Sequence, residues 1–351
     1  MKLYLSYRNS FLHHIYAALA VLVILFASNS NNSTTSIETE ESILEVTASH
    51  NHTENLHLFE MSSNEIPAGW TTITFNNASP VDHFFVIYKV PDEAQEAADA
   101  AGDPLLEHWF QGVTEPFQHE FNPFHRGEVD YGEFVDNLVA SISEKGPWFL
   151  DPGAVPMGGP GFTAPGRTSK NSVFLDPGDY VVECYVKDED GQFHSYLGML
   201  ELLRVTNEES GMEEPTSVSK VTVSTTGGIQ YQSNLEPGEQ VIQFLFEDQD
   251  TYAHLLGHNV QLVRFDNEPD QSLLDDLSAW MNWANPEGLV NRAPDGAEFI
   301  GGTMEMTAGA TTYFHANLEP GHYAWIAEIP NPDSHNMLKT FRIPRGHFNA
   351  R

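Results

Sequence analysis

Two stretches decide how this chain folds: "SVFLDPGDYVVECYV" (172–186) and "YFHANLEPGHYAWIAEI" (313–329). Both carry Leu-acid-Pro-Gly-x-Tyr in register. Nineteen positions before the glycine of each Pro-Gly stands the second residue of a Gly-Gly pair, Gly159 before Gly178 and Gly302 before Gly321. Upstream of each pair lies a helical pattern, "FVDNLVAS" (134–141) and "LLDDLSAW" (273–280), the second with Ser272 and Asp275 at capping-box spacing. Earlier still, "DHFFVIYKV" (82–90) matches "GHNVQLVRF" (257–265), and each half closes on a strand, "LELLRV" and "LKTFRI". The copies diverge mainly over 91–132, an insertion in the first half. The chain is an internal repeat.

Outside the helices the texture is β. Short runs such as "TTITFNN", "YVVECYV" and "VIQFLFE" are rich in β-branched and aromatic residues and bounded by Gly, Pro, Asn and Asp. Alternation in "YVVECYV" places Tyr180, Val182, Cys184 and Val186 on one face. These features predict an all-β protein of two Greek-key sandwich domains, each with a short helical insertion. The boundaries read as an N-terminal segment over 1–30, a polar tether over 31–52, a first domain over 53–206, a linker over 207–217 and a second domain over 218–345.

The apolar run "IYAALAVLVILFA" (15–27) has 13 residues. It is short of the roughly 20 that span a bilayer and suits a signal peptide, with an uncleaved N-terminal anchor as the alternative. The expected location is periplasmic or extracellular. Sixteen basic against fifty acidic residues give a net charge of −34. That balance argues against nucleic acid or an anionic membrane surface as partner. "His50-Asn51-His52" reads as part of the solvated tether. The insertion holds His108, His119 and His125 at irregular spacing and reads as a surface excursion over the sandwich. "GGPG" (158–161) reads as a tight turn. The sequence has no Gly-rich phosphate loop, nucleophile elbow or HExxH motif.

The one cysteine, Cys184, cannot form an internal disulfide. In an exported chain it is expected to be buried, paired between chains, or used chemically. His83 opens a strand, Cys184 lies in another, and His194 and Met199 follow before the last strand of the first half. Two imidazoles, a thiolate and a thioether make a trigonal, axially capped donor set suited to copper. The alternative is that "CYVKDEDGQFH" is an ordinary hairpin with Cys184 facing the core.

On these residues the sequence resembles the cupredoxin superfamily of blue copper β-sandwich proteins. Their motif is a His after a strand-joining loop and, far downstream, Cys-x(n)-His-x(n)-Met before the final strand. Here it is His83, then Cys184, nine residues, His194, four residues and Met199. The nine-residue loop is similar to that of the nitrite reductase type of copper domain. The resemblance implies one type 1 copper held by those four residues, a role in one-electron transfer or copper holding, and a redox partner protein. The alternative is a metal-free binding or structural module of the cell envelope.

The second half keeps His258, but Ala327 stands where Cys184 stands, with His335 and Met337 nearby, so no blue site is expected there. Multicopper oxidases and nitrite reductases place a His beside the Cys and, in oxidases, His-x-His pairs on strands. Glu183 and Tyr185 flank Cys184 here, and the paired pattern is not expected in a folded segment. An electron-transfer or binding protein is therefore expected rather than an enzyme.

Overall fold

The computed structural model describes residues 43–232, 235–251, 255–283, 285–328 and 338–344. The first half runs β1 (Ile43–Asn51), β2 (Leu56–Met61), β3 (Glu65–Asn77), β4 (Val86–Lys89), α1 (Asp92–Ala101), α2 (Leu105–Trp109), α3 (Glu115–His125), α4 (Tyr131–Lys145), β5 (Val155–Pro156), β6 (Thr168–Leu175), β7 (Gly178–Glu183) and β8 (Leu200–Glu209). The second half runs β9 (Ser219–Ser224), β10 (Gly228–Tyr231), β11 (Gly238–Phe246), β12 (Val260–Phe265), α5 (Gln271–Trp280), β13 (Ala297–Thr303), β14 (Thr311–Leu318), β15 (Gly321–Ile326) and β16 (Leu338–Ile343).

The repeat seen in the sequence is a repeat of strand pairing. β1 lies parallel to β3 and antiparallel to β2, as β9 does to β11 and β10. β3–β6, β4–β7 and β7–β8 are antiparallel, and so are β11–β14, β12–β15 and β15–β16. Each half is thus a two-sheet sandwich whose inner faces bury aromatic and β-branched side chains. β3 serves both sheets of the first half, pairing with β8 through Glu65 and Ile66 and with β6 from Gly69 onward. Antiparallel pairing of β6 with β14, Ser172 opposite Tyr313 and Asn171 opposite Phe314, joins the halves edge to edge.

The two Gly-Gly pairs meet across that junction. Gly161 donates its N–H to the Gly302 carbonyl, and Gly158 donates to Glu305. "GGPG" is therefore an extended crossing between the halves rather than a tight turn. A Cβ on Gly159 (φ +121°) would sit 2.0 Å from the Phe85 carbonyl oxygen, and one on Gly302 (φ +146°) 2.3 Å from that of Val260. Only glycine fits either place.

Four expectations need correction. Residues 43–51 form β1 rather than tether, because Leu44, Val46 and Ala48 alternate into the core. The 91–132 insertion is largely helical, and Trp109, Phe121 and Phe124 are buried in the main core. That helical layer covers the second face of β7, so Val181 and Tyr185 are buried along with Tyr180, Val182, Cys184 and Val186. Finally, α5 is capped by Asp270, whose carboxylate accepts the Leu273 N–H, two residues upstream of the expected start at Ser272. The apolar run over 15–27, His335 and Met337 lie outside the described residues.

Candidate metal centre

The loop after β7 is tied back on itself so that its ends face each other. Asp188 accepts the N–H groups of Asp190 and Gln192 through one carboxylate oxygen, closing the turn at "DEDG". His194 N–H donates to the Val186 carbonyl, Met199 N–H to that of His194, and Cys184 N–H to that of Met199. The backbone of all three residues is therefore fixed by mutual hydrogen bonds. His83 lies just before β4, the strand paired with β7, and is held by reciprocal bonds with Thr163: its N–H donates to the Thr163 carbonyl, and Thr163 N–H returns the bond.

The structure brings the donor atoms of three of the four expected residues together. Cys184 Sγ lies 3.5 Å from His83 Nδ1 and 3.9 Å from His194 Nδ1, and the two Nδ1 atoms are 3.1 Å apart. The point equidistant from the corners of a triangle with those sides is about 2.0 Å from each, where metal–nitrogen bonds of about 2.0 Å and metal–sulfur bonds of about 2.3 Å would place an ion. All three side chains, and that of Met199, are fully buried. Direct imidazole–imidazole contact without an ion between them does little for stability, since the Nε2 atoms of both rings are buried without a partner. The donor set fits a soft, borderline metal such as copper.

Electrostatics make this a neutral cluster when metal-free. Burial pushes the Cys184 thiol up to about 12, so its proton stays on sulfur. Burial first, and neighbouring imidazoles second, hold His83 and His194 well below the ordinary histidine range. Both rings are uncharged at neutral pH and keep a lone pair for a ligand role.

A third histidine stands beside the site without belonging to the sequence motif. His57, on β2, has a ligand nitrogen within 4.8 Å of those of His83 and His194. Its ring stacks on His194 with centroids 3.7 Å apart and planes 12° apart. Lone pairs of two parallel rings lie in separate planes, so His57 covers His194 rather than sharing an ion with it. The signal was present: in "LHLFEM" His57 and Phe59 alternate onto the buried face. His50 and His52, expected in a tether, sit on and just after β1, so a His-x-His pair does occur in a folded segment. The His50 ring stacks on that of His57, and His52 meets His50 edge-on. His108, His119 and His125 do not converge; among the described residues only His57, His83 and His194 form a group of three such donors.

Among the described residues the second half shows no counterpart centre. Ala327, buried in the apolar core of the second half, replaces the thiol, and the next residue, Glu328, joins a carboxyl–phenol network between the halves. Tyr88 donates to Glu305 at 2.5 Å, Tyr185 to Glu305 at 3.3 Å and Glu328 at 3.2 Å, and Asn259 to Glu328 at 2.6 Å. Burial raises the pKa of Glu305 and, more strongly, of Glu328, and takes Glu183 to about 8. These carboxyls sit beside the thiol strand as a polar joint between the sandwiches.

No family model matches the sequence, and no curated protein sequence does. Among solved structures, the chain is similar to auracyanin of Roseiflexus castenholzii, with 19% identity, 48% of this chain and 98% of that one covered, and a TM-score of 0.22. Auracyanin A of Chloroflexus aurantiacus gives 14%, 47%, 100% and 0.23. A blue copper oxidase of Nitrosomonas europaea gives 11%, 86%, 85% and 0.22. Superpositions this loose carry no weight beside the strand pairing itself. That pairing, present in both halves, makes the described residues a tandem of β-sandwiches, and His83, Cys184, His194 and Met199 stand in the first of them in an order that resembles the cupredoxin motif.

Proposed function

We propose that the first sandwich binds one copper ion through His83, Cys184 and His194, with Met199 as weak axial donor, in an exported protein that transfers single electrons to and from a redox partner. Copper cycling between Cu(II) and Cu(I) supplies the one-electron chemistry. The triangle of Nδ1, Nδ1 and Sγ atoms is the observation that carries this reading. The protein's own part is to hold three donors rigidly from two loops tied by backbone hydrogen bonds, and to exclude water. The signal-like run at 15–27 supports export, and a charge of −34 supports a partner with a basic surface rather than nucleic acid or anionic lipid.

Titration of the metal-free protein with Cu(II) tests this. We expect one equivalent to bind, with an intense visible thiolate-to-copper absorption and release of one proton at pH 7. The sign follows from the thiol. Its proton is retained up to about pH 12 and must leave on binding, whereas both imidazoles are already neutral. Apparent affinity should therefore rise about tenfold per pH unit through the neutral range. Colourless binding, or binding without proton release, would contradict the reading.

A further inference from the structure

His194 would be the shortest way out for an electron, yet it is fully buried under the β1–β2 hairpin. What covers it is a column of imidazoles. His57 stacks on His194 at 3.7 Å, His50 on His57 at 4.3 Å and 13°, and His52 meets His50 at 4.2 Å edge-on. Burial falls along the column: His194 and His57 are buried, His50 is half-buried and His52 is exposed. The register explains the alignment, since His50 and His57 are directly opposite in the antiparallel ladder. Electron transfer decays steeply with distance, and more steeply across gaps than through packed atoms. Rings in contact from His194 to solvent, stacked as far as His50 and edge-on at His52, make a packed path on this side.

The column ends at a hairpin of one charge sign. Glu45, Glu54 and Glu60 lie on it, and no lysine or arginine stands between Arg8 and Lys89. Asn51 fixes the tip, donating to Glu54 and accepting the Thr53 N–H. We infer that the tip of the β1–β2 hairpin, through His52, His50 and His57, is the electron port of the site, and that it docks a one-electron carrier protein with a basic face. The inference rests on the copper reading above and names its partner surface. His57 is a positioning residue in it, acting through His194.

The port is tested by moving charge at its mouth. The Cu(II)-loaded protein gains one electron from hexaammineruthenium(II), which becomes the ruthenium(III) cation, and bleaching is followed at 0.01 M ionic strength. Glu54→Lys should slow this cationic reductant about tenfold and accelerate hexacyanoferrate(II). Glu239→Lys makes the same charge change on β11, separated from β2 by β1, β3, β6 and β14, about 24 Å across the sheet. It should alter either rate by less than about twofold. His57→Leu should leave the visible spectrum intact and slow both reagents several-fold; a rate unchanged or raised would reduce His57 to a cover and overturn its role. In the metal-free protein, the redox-inert hexaamminechromium(III) cation should broaden the amide NMR signals of residues 51–55, and Glu54→Lys should suppress that broadening. Equal responses to Glu54→Lys and Glu239→Lys, or unbroadened hairpin amides, overturn the port while leaving the copper reading intact. A wild-type protein that takes up no copper and develops no colour overturns both.

Discussion

Cys184→Ala is expected to leave a folded protein that no longer colours with Cu(II) and binds it about 10²–10³-fold more weakly. That loss is one donor's share of the roughly 10–16 kcal/mol that four-donor soft sites contribute. The fold should survive because the buried thiol behaves as a small apolar side chain in the metal-free state, with its proton retained. The two imidazoles remain, 3.1 Å apart at Nδ1, and can still hold an ion weakly. They cannot provide the sulfur-to-metal transition. Optical titration with isothermal calorimetry separates the two effects, and a metal-free melting temperature close to wild type excludes misfolding as the cause.

Gly159→Ala should be among the most damaging single changes away from the donors themselves. The added methyl would lie 2.0 Å from the Phe85 carbonyl oxygen at a φ of +121°, so both the glycine backbone and the strand entry must move. Phe85 N–H bonds to the Pro160 carbonyl and Ile87 N–H to that of Gly158, so the strain passes directly to the segment that carries His83. We expect a loss of about 3–5 kcal/mol, seen as a fall in melting temperature of roughly 10 °C in the metal-free protein. Copper affinity should drop with it. Gly102→Ala is the control: its φ is also positive, at +77°, but nothing lies within 4 Å of the added carbon. It should cost about 1 kcal/mol. Equal melting temperatures for the two variants would show that the Gly-Gly crossing is looser than the structure has it.

Much of this was legible in the sequence, for identifiable reasons. Period-two alternation and Pro-Gly turns mark strands because a pleated strand has two faces and needs a defined exit. Repeated in register, they exposed the tandem. The candidate donors His83, Cys184, His194 and Met199 could be picked by chemistry, since a lone cysteine followed by His and Met in one loop is a distinctive set. The spatial role of the hairpin was not legible. "HNH" among polar residues looks like tether, and only pairing with β2 reveals that His50 faces His57 and that His57 reaches His194. The same holds for "GGPG": a glycine needed for close approach between halves is indistinguishable, in one strand's sequence, from a glycine needed for a turn. The carboxyl–phenol joint of Tyr88, Tyr185, Glu305 and Glu328 draws on four separate stretches, and no local pattern announces it.

What everything functional depends on is whether two imidazole nitrogens and one sulfur close around a single ion. X-ray absorption at the copper edge of the stoichiometrically loaded wild-type protein measures that directly. The account predicts one short sulfur scatterer and two nitrogens at about 2 Å, with the sulfur lost in Cys184→Ala. A first shell of nitrogen and oxygen alone, unchanged by that substitution, would contradict it.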